Sequence, residues 1–157
     1  MRYAEALVAL DALYAALPSV ACQRLCQQSC GVIVMTRLEW VRIQRKLGYR
    51  PKGKPSLVCP MLKHGACSVH AIRPTICRLF GAMLDGRMIC HYGCEPTHWL
   101  TSEAGHAWLR QVEALSRTVY PHDDATAQAH GLRPEQIAGA IQSAIAQGRA
   151  SLGEPTG

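Results

Sequence analysis

The sequence predicts a mainly α fold with small irregular β-hairpins, in which helical flanks bracket a cysteine-rich middle. Three observations carry that expectation. All eight cysteines of the 157-residue chain, Cys22, Cys26, Cys30, Cys59, Cys67, Cys77, Cys90 and Cys94, fall in one stretch. Apolar residues recur at helical spacing on either side of it. Its second half, by contrast, is interrupted every few residues by Gly, Pro or Asp-Gly. The length suits one domain over 1–157, with a core at 19–98 and helical flanks at 1–18 and 99–150.

The elements follow in order. Leu7, Leu10, Tyr14 and Leu17 share one face of a helix expected over Tyr3 to Leu17, which Pro18 ends. Ser19 is placed to cap a second short helix bearing Cys22, Cys26 and Cys30. Val32 to Met35 is β-prone. Thr36 and Glu39 form a capping box that opens a helix over about 37–47, stopped by Gly48. Four structure-breaking residues, Pro51, Gly53, Pro55 and Pro60, make 50–60 a loop. Gly65 marks a turn, Pro74 starts a helical turn through Leu79, and Asp85-Gly86 signals a two-residue hairpin. Thr101 or Ser102 caps a helix to about Val119. Pro134 begins another that carries Ile137, Ile141 and Ile145 and stops at Gly148, leaving a frayed tail from Ala150.

What the cysteines do depends on the compartment. Glu5 and Asp11 interrupt the apolar N-terminus and no small-residue cleavage site follows, so the expected location is cytoplasmic. No run approaches the ~18 apolar residues of a bilayer span, so no membrane is expected. Clustered thiols in a reducing compartment point to metal ligation before disulfides. Alanine is abundant and Phe80 is the one phenylalanine. Such a core buries modest area, and a metal assembled only in the folded chain would supply folding free energy and organise the middle. The formal charge of +6 would fall to about +2 with eight thiolates and two divalent centres, because ligating cysteines are deprotonated.

Spacing bears on which metal. On a continuous helix Cys22, Cys26 and Cys30 would rise ~6 Å per step and ~12 Å in all. One tetrahedral zinc binds its sulfurs at ~2.3 Å and so holds them under ~4 Å apart. Three thiols on a straight helix therefore cannot share one zinc. Either the helix breaks near Gly31, or the ligands serve several irons of a cluster, or they divide between metals. Downstream, only Cys90 and Cys94 have a compact chelating spacing.

The string CPMLKHGACSVHAIRPTICRLFG, preceded by a cysteine group and a T-x-x-E helix start, resembles the YkgJ-type cysteine-cluster family, described as zinc- or iron-chelating domains. That family's C-x-x-L, C-S-x-Y and R-P-x-x-C-R elements correspond to Cys59–Leu62, Cys67–His70 and Arg73–Arg78. Its N-terminal group corresponds to Cys22, Cys26 and Cys30, and the closing Cys90 and Cys94 before Pro96 resemble one branch. Two departures stand out. Gly31 occupies the place of an adjacent cysteine, and His70 replaces the tyrosine. The resemblance implies a metal held by the cysteines. Longer relatives that methylate flagellin lysines extend it to protein modification.

Other residues weigh less. His70 reads as hydrogen-bonded structure before ligand, and His64, His91 and His98 as surroundings of the cysteines. Arg73 and Arg78 suit charge compensation of a thiolate cluster as well as ordinary backbone bonding, and Arg87 suits it less. A radical-SAM enzyme is excluded by the spacing and the short chain. A catalytic Cys77 would leave seven cysteines unexplained. The basic run Arg42, Arg45, Lys46, Arg50, Lys52 and Lys54 reads as a solvated face, so nucleic acid is not the expected partner. The leading expectation is an iron-sulfur protein with one or two cysteine-ligated clusters of the 4Fe-4S type, serving electron transfer or modification of a protein partner. The alternative is a zinc-stabilised, non-catalytic binding module.

Overall fold

The computed structural model describes residues 1–146. Among them lie six α-helices and two sheets of two strands each, so the chain is mainly helical with small β elements. Helix α1 (Tyr3–Ala15) buries Ala6, Leu10 and Tyr14 and ends before Pro18. The capping box opens α2 (Arg37–Leu47) as expected: the Glu39 N–H donates to Thr36 Oγ1 at 3.4 Å, and the Thr36 N–H donates back to Glu39 Oε2 at 2.9 Å. Gly48, at φ +75°, takes the left-handed conformation that stops it. Pro74 precedes α3 (Thr75–Leu79), and the Thr101 side chain caps α4 (Ser102–Arg117).

A short α5 (Ala125–His130) lies where the sequence suggested nothing, its apolar side chains being alanines with too little periodicity to announce it. After a 3-10 turn at Pro134–Gln136 comes α6 (Ile137–Ala146). It buries Ala140 and Ala144, with the three isoleucines half-buried alongside. The expected stop at Gly148 and the tail from Ala150 lie outside the described residues.

Three expectations are corrected. No helix carries the first cysteines. Val20 bridges Pro96, Arg24 sits at φ +57°, and only Gln27–Ser29 makes a 3-10 turn. The backbone there is recruited by distant partners: Thr97 N–H donates to Ser19 O at 2.9 Å, and Cys59 N–H to Cys30 O at 2.7 Å. Val32 to Met35 is not a strand either, because α5 side chains take its donors. Ile33 N–H donates to His130 Nε2 at 2.9 Å, and Met35 N–H to Thr126 Oγ1 at 3.1 Å.

The Asp85-Gly86 hairpin is also absent. Asp85 instead accepts the Arg87 N–H at 3.1 Å and starts a 3-10 turn. The preceding β3 (Met83–Leu84) pairs in parallel with the distant β4 (Leu100–Thr101). The hairpin that does form joins β1 (Leu62–Lys63) to β2 (Ala66–Cys67), with Leu62 opposite Cys67. Its turn residues His64 and Gly65 sit at φ +50° and +74°, the geometry a two-residue hairpin loop requires.

Two apolar clusters hold these pieces. One joins Ala6, Leu10, Tyr14, Leu38 and Val112, uniting α1, α2 and α4. The other packs Trp40 and Ile43 of α2 against Met35, Met61, Val69, Ala125 and Ala129, with Cys59 inside and Cys30 and Cys67 at its edge. The cysteine-rich loops therefore lie on one side of a helical scaffold. No described helix is long and apolar enough to cross a membrane.

Candidate metal centre

The irregular segments fold back so that every cysteine except Cys59 lines one cavity of about 210 Å³. Cys59 is buried, tied by its backbone N–H to the Cys30 carbonyl. Its own carbonyl accepts the Leu62 N–H at 3.0 Å, the turn that launches the β1–β2 hairpin carrying Cys67. Helix α3 adds Cys77 from the other side. All eight predicted residues are thus brought into one region, although 72 positions separate the first from the last.

Within that region the charges that raise each thiol sort the eight into two groups that adjoin at Cys26 and Cys30. Burial pushes the Cys30 thiol up to about 12, and Cys59 and Cys67 are the foremost thiols acting on it in the same direction. Burial likewise pushes Cys59 up to about 11, with Cys67 adding to it against backbone N–H groups that hold it down. Cys77 is raised too, by burial and then by Cys59, Cys67 and Cys30. These four make an inner set.

In the outer set burial raises Cys26, helped by Cys22, Cys90 and Cys94. A backbone hydrogen bond from Gln23 holds Cys94 down, but desolvation and its neighbours Cys90 and Cys22 outweigh it. Gln28 Nε2, donating to Tyr92 Oη at 2.8 Å, ties the two loops of the outer set together. Cys26 and Cys30, four residues apart, are where the sets adjoin, and Cys26 adds to the shift at Cys30. Thiols raised in this way keep their protons unless a cation displaces them, the ordinary price of thiolate ligation.

Cations surround the cavity. Arg24, Arg73 and Arg87 line it together with His70. Arg87, which the sequence disfavoured, is therefore at the site. Arg78 is committed elsewhere: it donates to the Arg73 carbonyl at 2.9 Å and the Ala71 carbonyl at 3.0 Å, and its guanidinium stacks 3.9 Å from the Tyr14 ring. Arg73 Nη1 donates to the His70 carbonyl at 2.8 Å and lies 3.4 Å from His70 Nδ1. Burial, then the charges of Arg73, Arg24 and Arg78, press His70 down to about 4, leaving it a neutral, hydrogen-bonded ring.

Behind the inner set lies a residue whose role the sequence revealed only in part. Glu39 is buried, and one carboxylate caps its own helix while reaching two others. Oε2 accepts from Thr36, and Oε1 accepts from the Tyr14 hydroxyl at 2.7 Å and from the Thr75 N–H and hydroxyl at 2.6 Å each. Thr75 opens α3, so Glu39 fixes the helix that presents Cys77. The T-x-x-E signature predicted the cap, but only tertiary structure brings Tyr14 and Thr75 to the other oxygen.

Among the described residues, no three His, Cys, Asp or Glu side chains already converge on a point where one ion would sit. The thiols instead stand around the cavity. Compared with known proteins, the chain matches no family model, no curated protein and no solved structure.

Proposed function

We propose that the chain is an iron-sulfur protein whose two four-thiol sets each hold a cysteine-ligated cluster of the 4Fe-4S type in a reducing, cytoplasmic setting. One observation carries the reading: seven cysteines from four separate segments, the loops at 22–30 and 90–94, strand β2 and helix α3, line a single cavity, with the eighth packed against its inner set. Soft thiolate donors select zinc, copper(I) or iron-sulfur centres. A single zinc would need four sulfurs drawn to under ~4 Å of one another. Thiols arranged round a cavity of about 210 Å³ suit a larger inorganic body, given that one water needs only ~10–15 Å³ of such space.

The residues present fit that group. Four thiolates per set supply the ligation, and Arg24, Arg73 and Arg87 offset negative charge and favour the reduced state. When bound, such a cluster exchanges single electrons. The chain's own side chains bury Cys59, keep His70 neutral and hold α3 in register through Glu39. The function so supplied is electron transfer or support of a partner's modification, and the resemblance to the YkgJ-type family is consistent with it.

A second reading has its own support. Four thiols per set is also the ligand count of structural zinc, which would make the chain a non-catalytic binding module. Anaerobic purification separates the two. Brown protein absorbing near about 400 nm, with iron and acid-labile sulfide in equal amounts, supports the clusters. Colourless protein carrying zinc overturns them in favour of the module.

A further inference from the structure

Resting on the iron-sulfur reading, we propose that the surface over the outer cysteine set is the docking site for an electron-carrier protein with an acidic face. The two sets are unequal in exposure. Each set has one buried thiol, Cys59 and Cys94, but the exposed thiol, Cys22, belongs to the outer set. Around the outer set stand Leu25, Ile89 and Tyr92, 50%, 40% and 42% exposed. All three adjoin ligands in sequence or lie one residue beyond, and the Gln28–Tyr92 bond holds the two loops side by side. Three large apolar side chains left in water beside a reactive centre are a feature that needs a partner.

Charge identifies the kind of partner. Arg24 and Arg87 line the same cavity, and neither guanidinium has a hydrogen bond or ion pair among the described residues. Residues 12–94 contain twelve Lys and Arg against two carboxylates, Glu39 and Asp85. Glu39 is buried, and Asp85 is turned to the Arg87 backbone. After Asp11 the next exposed carboxylate along the chain is Glu95, beside Cys94. An apolar centre containing tyrosine and flanked by arginine is the composition of a protein interface. A nucleic acid would call for a longer basic stripe. In the exchange itself one electron leaves the carrier and one is gained at the outer centre, with no bond made or broken.

The test uses iron-loaded protein and, as probe, reduced flavodoxin, an acidic one-electron carrier. Iron and sulfide are assayed first, so absence of a cluster is recognised as failure of the underlying reading. Stopped-flow reduction by flavodoxin should slow with added salt, and at low salt should slow about ten-fold more in Arg24→Glu/Arg87→Glu. Because Arg24 and Arg87 also offset charge at the centre, reduction by the small cationic methyl viologen radical is measured alongside, and the ten-fold slowing is counted in excess of any change it shows. If that variant loses iron, Leu25→Glu/Ile89→Glu, which places repulsive charge on the same face, should give the same selective loss. Flavodoxin rates within two-fold of wild type in an iron-replete variant would overturn the proposal. So would tight single-stranded RNA binding abolished by the same substitutions, which assigns the patch to nucleic acid.

Discussion

Thr75 holds Glu39 twice, its backbone N–H and its hydroxyl each donating to Oε1 at 2.6 Å. The carboxylate thereby joins the N-terminal turns of α2 and α3 and the Tyr14 hydroxyl of α1. Replacing Glu39 with Ala strands buried donors on three elements and should cost about 3 kcal/mol. Urea denaturation measures this directly, and a loss below about 1 kcal/mol would show that the junction is not structural.

Gly53 lets the 50–60 loop lie against the end of α5. A Cβ there would meet the His130 carbonyl oxygen at 2.1 Å, and backbone cannot swing aside as a side chain can. Gly53→Ala should therefore destabilise by about 2 kcal/mol or more. Gly139→Ala, which meets nothing within 4 Å on α6, should be neutral or slightly stabilising. Thermal melts of both variants side by side check the contrast.

His130 gives an acid limit. Burial holds its pKa below the ordinary 6.5, and Nε2 accepts the Ile33 N–H. A depressed value means the unfolded chain takes up the proton first. The stability tied to the neutral ring is full above 6.5 and is lost as pH falls from there towards the lower folded value. Wild type should thus lose more stability between pH 7 and 5 than His130→Asn, which has no titrating ring. Parallel slopes in denaturation against pH would remove His130 as the cause.

The division of the thiols predicts unequal consequences of substitution. Cys90→Ser, in the outer set, should leave a folded protein with about half the iron of wild type. Cys59→Ser, in the apolar cluster with Trp40 and Ile43, should lower both iron and folding stability. Near-complete iron loss from Cys90→Ser alone would mean that the eight thiols act as one site.

The residues that were legible act through their immediate neighbours. Thr36 and Glu39 announced α2, Pro74 announced α3, and Gly48 announced a stop, because capping and left-handed turns involve few positions. The cysteine region was legible as one region but not in its shape. Four-residue spacing of Cys22, Cys26 and Cys30 mimicked a helical stripe, yet that backbone bonds to Thr97 and Cys59, far along the chain. Asp85-Gly86 carried a hairpin signal that the Asp85 side chain diverted into a cap, while β3 took a partner at Leu100. In each case distant partners outbid a weak local preference.

The cluster of Ala6, Leu10, Tyr14, Leu38 and Val112 contains no sulfur ligand. If the proposed clusters are bound, removing them should leave α1, α2 and α4 docked while the loops at 19–34 and 50–60 open to protease. On that reading the chain without its clusters would be half folded and half open to cleavage, its helical side already shaped for reloading.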